Sequence, residues 1–257
     1  MGVIGGALAY RFLRWYAPGG ESNGLDGSAY AGTSKLRVLL GERLLSEIRG
    51  KDVIDFGCGD GDETIEIAEA GARSVVGVDI QTARFAAAEQ RAVAAGVADR
   101  VRFLERAQSS ADVIVSIDSF EHFADPAGIL RTMAALLRPG GRVMASFGPT
   151  WLHPLGGHLF SVFPWAHLVF TESALVRWRS DFKTDGATRF SEVAGGLNQM
   201  TVSRFERLVA DSPLRISHFE AVPIRKLRAV ATPVTREFTT AIVRCTLEPR
   251  HGAAATR

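Results

Sequence analysis

The sequence predicts an α/β protein with a doubly wound, mostly parallel sheet of seven strands and helices on both faces. Three observations predict it. Short β-branched runs alternate with stretches of helical period across residues 51–148, a glycine-rich turn joins the first run to the first helix, and two further strand-like runs close the chain. Strand–helix–strand alternation forces crossover connections, and right-handed crossovers bury a parallel sheet between two helical layers. With 257 residues, 46% of them hydrophobic, the chain can bury one such core and still carry an insertion.

The elements follow in order. Residues 1–8 are apolar but too short to cross a membrane, and Gly6 stands where a myristoylation signal needs Ser or Thr. Leu8, Phe12, Trp15 and Tyr16 then recur at helical spacing, with Arg11 and Arg14 between them. That pattern is open to a packing or lid helix and to a membrane-surface helix, and the packing or lid reading is preferred. A breaker cluster at 18–24 separates it from a helix over 35–48, striped by Leu36, Leu39, Leu40 and Leu44. Val53, Ile54, Asp55 and Phe56 read as a buried strand, and residues 74–78, 101–104, 112–117 and 142–147 as the next four. Helices are expected from Asp62 onward, over 82–95 and over 126–137, the last ended by Pro139-Gly140-Gly141. The rhythm then breaks until about Met200. Thr201 is the expected N-cap of a further helix, and 214–224 and 238–247 are the last two strands.

Composition excludes some classes. Lys and Arg number 30 against 28 Asp and Glu, a net charge of +2, too balanced for the dense basic stripe of a nucleic-acid binder. Cys58 and Cys245 alone make no disulfide framework, and such usage fits a reducing cytoplasmic setting.

The turn Asp55-Phe56-Gly57-Cys58-Gly59-Asp60-Gly61 carries the first functional signal. Its glycines let the backbone turn sharply and approach a ligand with no Cβ between them. The helix from Asp62 aims its free N–H groups into the same space. No Gly-Lys-Ser/Thr follows, which excludes a nucleotide P-loop, and Asp62 stands where a dinucleotide fingerprint needs glycine. The second strand ends in Asp79, followed by Ile80, at the position where an acid receives both hydroxyls of a ribose. A ribose-bearing ligand without a pyrophosphate suits this site.

At these residues, and at Leu137-Arg138-Pro139-Gly140-Gly141 before the fifth strand, the chain resembles the class I S-adenosylmethionine-dependent methyltransferases. The resemblance covers residues 51–148 and implies a Rossmann-like fold with S-adenosylmethionine as cofactor. It further implies that Asp55, Gly57, Cys58, Gly59, Gly61, Asp79 and Ile80 surround that cofactor. In such proteins an acid for the adenine amino group lies in a longer loop than 104–111, so two alternatives stand here: Glu105 as a substitute acid, or backbone groups around Arg106 and Ala107. The chain then divides into N-terminal helices and lid at 1–50, the cofactor-binding core at 51–148, an inserted substrate cap at 149–200, and the last helix and strands at 201–250.

Ile117-Asp118-Ser119-Phe120-Glu121-His122 leaves the fourth strand across the switch point from the glycine turn, so donor and acceptor should meet there. In a helical turn, Asp118, Glu121 and His122 would share one face and could hold a divalent cation such as Mg²⁺. Asp118 would also border the cofactor. The segment is similar to that of the ubiquinone-pathway O-methyltransferases, whose acid-x-x-Glu-His pattern is associated with a divalent metal, although Asp118 replaces their glutamate. Three readings stay open for it: a metal site, a metal-free base or substrate contact, and plain structure.

The insertion holds Trp151, Trp165, Trp178 and three histidines, His153, His158 and His167. It can roof the acceptor site as an aromatic-rich lid, or seal the core or a homodimer interface. His153 and His158, on either side of Gly156-Gly157, join His122 as catalytic candidates, whereas His167 is read as structural. The expected activity is O-methylation of a small-molecule or lipid-linked hydroxyl, without nucleic acid and without a transmembrane segment. N- or C-methylation and non-catalytic binding of the donor are the alternatives.

Overall fold

Among the described residues seven strands form one sheet in the order β3-β2-β1-β4-β5-β7-β6. The computed structural model describes residues 2–20, 34–193 and 196–250. Part of the breaker cluster (21–24) and the C-terminal tail lie outside the described residues.

The helices and strands run α1 (Gly6–Tyr16), α2 (Lys35–Leu40), α3 (Glu42–Ile48), β1 (Asp52–Phe56), α4 (Asp62–Glu69), β2 (Ser74–Val78), α5 (Phe85–Ala94), β3 (Val101–Leu104) and β4 (Ala111–Ile117). Then come α6 (Pro126–Leu136), β5 (Leu137–Phe147), α7 (Ala166–Val169), α8 (Glu172–Arg179), α9 (Val202–Ala210), β6 (Leu214–Pro223), α10 (Arg236–Thr239) and β7 (Thr240–Pro249). β1 to β5 pair in parallel, and only β7 runs antiparallel to both of its neighbours. The α/β fold expected from alternation is therefore observed.

The central strands are apolar on both faces because both faces are covered. Val53, Val75, Val113 and Val115 pack with Leu36, Leu39, Leu44, Ile48 and Ile67 on one side. Ile54, Ile114, Val143, Ala145 and Phe147 meet Leu130, Met133, Phe205 and Val209 on the other. A third cluster joins the inserted segment to α1 through Leu13, Phe160, Leu175, Trp178 and Phe190.

Local chemistry sets the boundaries. Thr201 caps α9 by accepting from Arg204 N, as expected, and Asp125 caps α6 by accepting from Gly128 N ahead of Pro126. The single helix expected over 35–48 is two, because Gly41 at φ +75° ends α2 and opens α3. Pro139-Gly140-Gly141 does not precede β5 but lies within it, with a register irregularity against β4.

Candidate functional site

β1 leads through β2 to β3 on one side of the sheet, and β4 lies on the other side of β1. The carboxyl ends of β1 and β4 thus frame the topological switch point, where open α/β sheets bind ligands. The loop after β1 and the turn after β4 meet here. Ser119 Oγ donates to the carbonyl of Gly57 at 3.2 Å, and a Cβ on Gly57 would lie 2.4 Å from that hydroxyl.

Each glycine of the first loop has a different reason. Gly57 admits the neighbouring turn. Gly61, at φ +84°, is the left-handed residue before α4, and a Cβ there would lie 2.6 Å from the ring of Phe103. Gly59, at φ +52°, faces open space, with nothing nearer to a built Cβ than Arg84 at 3.9 Å. Gly59 is therefore where a ligand can reach the backbone closely. Its amide donates to Asp79 Oδ2 at 2.9 Å, while Asp79 Oδ1 accepts from Gln81 N at 2.8 Å. Two backbone donors fix this carboxylate at the edge of the loop, and an ionised carboxylate keeps lone pairs for two further donors. Ile80 beside it is 86% exposed, and Ala107 is half-buried with Arg106 exposed across β3.

Two loop residues point inward. Asp55 is 2% exposed and accepts from Thr64 Oγ1 at 2.6 Å. Burial pushes its carboxyl up to about 7. The Cys58 side chain packs in the core with Leu36 and Ile65, and burial pushes the thiol far up. These two support the loop from beneath.

The segment 118–122 does not meet the condition of a helical turn, because Asp118 takes a left-handed φ of +48° ahead of the turn at 120–122. The consequence is a different grouping of side chains. Asp118 lies 3.4 Å from Lys35 Nζ, which also lies 3.9 Å from Glu63 on α4. Asp118 thereby leaves the expected triad, and His158 takes its place. Glu121, His122 and His158 offer ligand atoms within 4.8 Å of one another, and the rings of His122 and His158 are 5.2 Å apart.

Hydrogen bonds assign roles within this cluster. His122 Nδ1 lies 2.6 Å from the carbonyl of Gly196, which must accept, so Nδ1 carries a proton and, in the neutral imidazole, the lone pair is on Nε2. Glu121 Oε1 accepts from Gly148 N at 3.2 Å, while its Oε2 and His158 Nε2 are buried with no partner among the described residues. Burial pushes Glu121 up to about 8 and His158 down to about 4.

The remaining histidines are local. His153 Nδ1 accepts from Leu155 N at 2.9 Å, and burial lowers its imidazole to about 4. His167 is buried with both nitrogens engaged, by Ser161 Oγ and by the Trp151 carbonyl, which fits the structural reading of that residue.

Two participants escaped the sequence reading. Asn198 Nδ2 donates to the carbonyls of Phe120 and Phe123 at 2.6 and 2.8 Å, and its amide donates to that of Glu121 at 3.0 Å. Together with Gly196 it clamps the turn that carries His122. Lys35 reaches into the switch point from α2. Neither belongs to a local motif, so no spacing pattern could have found them. Two hollows of about 120 and 140 Å³, lined by Met144, His218 and Arg244 and by Lys51, Asp112 and Arg142 among others, contain none of these groups.

A seven-stranded sheet in this order, with a glycine turn after β1 and an anchored acid after β2, defines the class I methyltransferase architecture. Residues 33–193 match the family described as methyltransferase domain, and the chain belongs to it. That family takes its methyl group from S-adenosylmethionine. The chain is 33% identical over 108 residues to a ubiquinone biosynthesis O-methyltransferase of Cupriavidus pinatubonensis, covering 40% of this chain and 43% of that one. It is 36% identical over 101 residues to the 27-O-demethylrifamycin SV methyltransferase of Amycolatopsis mediterranei, covering 37% of each. The matches thus span less than half the length of these curated relatives. In structure, it is similar to a geranyl diphosphate methyltransferase in complex with S-adenosylmethionine, with a TM-score of 0.54, 19% identity, and 81% and 84% of the two chains covered.

Proposed function

We propose that the chain is an S-adenosylmethionine-dependent methyltransferase acting on a hydroxyl of a small-molecule or lipid-linked acceptor. One observation carries the reading: the unobstructed Gly59, with Asp79 anchored to it, lies in the loop that meets, across the switch point, the turn carrying His122. The O-methyltransferase names of both curated relatives support a hydroxyl as acceptor.

When bound, S-adenosylmethionine would supply a methyl carbon that a positioned oxygen can attack, the C–S bond breaking and the sulfur leaving as a neutral thioether. Asp79 would bind the ribose hydroxyls, Gly59 would let the backbone close on the ligand, and Ile80 with the backbone at 106–107 would flank the adenine. A neutral alcohol is a poor nucleophile unless its proton leaves as it attacks. His122 Nε2 would accept that proton, and the Gly196 carbonyl steadies the imidazolium that results. The roof from Trp151 onward would limit water beside the reacting oxygen.

A second reading of the same turn rests on the orphaned Glu121 Oε2 and His158 Nε2. With His122 they form a set of carboxylate and imidazole donors that suits a divalent cation such as Mg²⁺ or Mn²⁺, buried polar atoms otherwise being costly. The cation would supply acidity to a coordinated hydroxyl. Two imidazoles and one carboxylate favour Mn²⁺ over Mg²⁺.

The test is transfer of labelled methyl from S-adenosylmethionine to a panel of phenols, catechols, sugar alcohols and polyprenyl-linked alcohols. Labelled product is expected with wild type and not with His122→Ala. If the protein binds the donor but labels none of the panel, non-catalytic binding is the better reading. Activity lost in chelator and restored by Mn²⁺ selects the metal version.

A further inference from the structure

The helix α1 is apolar on two opposite sides. Ala9, Leu13 and Ala17 face inward, and Trp178 Nε1 of α8 donates to the Ala17 carbonyl at 2.8 Å. The stripe that suggested a packing helix points the other way. Leu8 is 78% and Trp15 77% exposed, and Val3, Ile4, Phe12 and Tyr16 are exposed with them. Within α1, Leu8, Phe12 and Trp15 lie about one turn apart, so they share one outer face, and the exposed Val3 and Ile4 precede it in the bridged segment. No acid occurs among residues 2–20, whereas Arg11 and Arg14 flank this face. Arg11 has no acidic partner among the described residues, and Arg14 only approaches Asp181 at 3.9 Å.

A second segment has the same character. The connection from β6 to β7 exposes Arg225, Lys226 and Arg228 without acidic partners among the described residues, and beside them Val230, Phe238 and the 90% exposed Val234. β6 and β5 both run antiparallel to β7, so this connection emerges at the carboxyl edge of the sheet. The helix α1 is tied to the same edge, since Ile4 bridges Phe170 in the segment that follows β5.

We propose that this edge docks on an anionic lipid bilayer, with Leu8, Trp15 and Val234 entering the headgroup–acyl boundary and the cations meeting lipid phosphates. Aliphatic and indole side chains with arginines beside them, and no acid on the helix itself, are the chemistry of an interfacial helix, although Asp181 of the inserted segment meets Tyr10 and Arg14 at its edge. A second copy of the chain is the poorer occupant. A two-fold contact would set Arg11 and Arg14 against their own copies, with no carboxylate on either helix to meet them. The proposal does not depend on methyl transfer, since its readout is binding alone.

Co-sedimentation of the full-length protein with phosphatidylcholine vesicles, with and without phosphatidylglycerol, tests it. Wild type should sediment with the anionic vesicles at low salt and be released as salt is raised. Leu8→Asp with Trp15→Asp should abolish binding without altering circular dichroism or the melting temperature, because both side chains are exposed. Lys226→Glu with Arg228→Glu should weaken binding at least about tenfold, each charge near such a surface being worth several-fold. Failure of wild type to bind anionic vesicles, or undiminished binding by both variants, overturns the proposal. So does a dimer in vesicle-free solution that Leu8→Asp with Trp15→Asp dissolves, which would assign the face to a second copy.

Discussion

The two halves of the site are built in opposite ways. The donor half is one contiguous stretch, in which Gly57, Gly59 and Gly61 shape a turn and Asp79 anchors it from the end of the neighbouring strand. The acceptor half is assembled across the chain: His122 is oriented by a carbonyl 74 residues away, and its nearest imidazole neighbour is His158. In the proposed mechanism backbone shape serves the first half and side-chain protons the second. Damage to one should therefore leave the other largely intact.

The largest separation is expected from His122→Ala. Turnover should fall on the order of 10²–10⁴-fold, the usual worth of a general base, with donor affinity unchanged. Single-turnover methyl transfer beside calorimetry checks this, and a matching loss of donor affinity would merge the two halves.

Next come the glycines, which sharpen the contrast inside the donor half. Gly61→Val should destabilise the fold by roughly 3 kcal/mol or more, from the Phe103 clash together with left-handed strain. Gly59→Ala should cost only about 1–2 kcal/mol of strain, yet weaken donor binding more than its effect on folding suggests. Denaturant titrations set against donor affinities separate the two.

The halves also differed in legibility. Alternation and the glycine turn are local signals, so the run of strands and helices, the Thr201 cap and the place of Asp79 at the end of the second strand could be read from neighbours in sequence. Asp118 could not. A helical turn would have aligned it with Glu121 and His122, but its left-handed backbone turns it to Lys35, a residue placed by a different helix. The same holds for Leu8 and Trp15, whose spacing announced an apolar stripe without saying whether it faced in or out. Periodicity fixes which residues share a face, and only tertiary packing decides what that face meets.

Smaller effects probe the clamp. Asn198→Ala removes two hydrogen bonds to the turn and should lower kcat by about tenfold through loosened positioning of His122. Donor affinity should hold, and the acceptor KM should change less than kcat. An unchanged kcat would remove Asn198 from the acceptor half.

The smallest effect is on stability against pH. Glu121 is raised from its ordinary 4.5 to about 8 by burial, so the folded state holds a proton that the unfolded state has lost between those values. Its contribution is complete below about 4.5 and declines as pH rises through about 8. In chelator, Glu121→Gln should flatten that decline, making the variant the more stable of the two above pH 8 by roughly 1–3 kcal/mol. Melts of both proteins across this range would reveal it, and parallel curves would mean that Glu121 is ionised in the fold.

The separation itself is most directly tested by titrating S-adenosylmethionine into wild type, Asp79→Ala and His122→Ala in one calorimetric series. Asp79→Ala should raise Kd roughly 10–100-fold, because hydrogen bonds to a charged group are worth about 1.5–3 kcal/mol each before compensation. His122→Ala should leave Kd within about twofold of wild type, as expected for a side chain with no contact to the donor. An unchanged Kd in Asp79→Ala, or an equal loss in both variants, would contradict the division of the site into donor and acceptor halves.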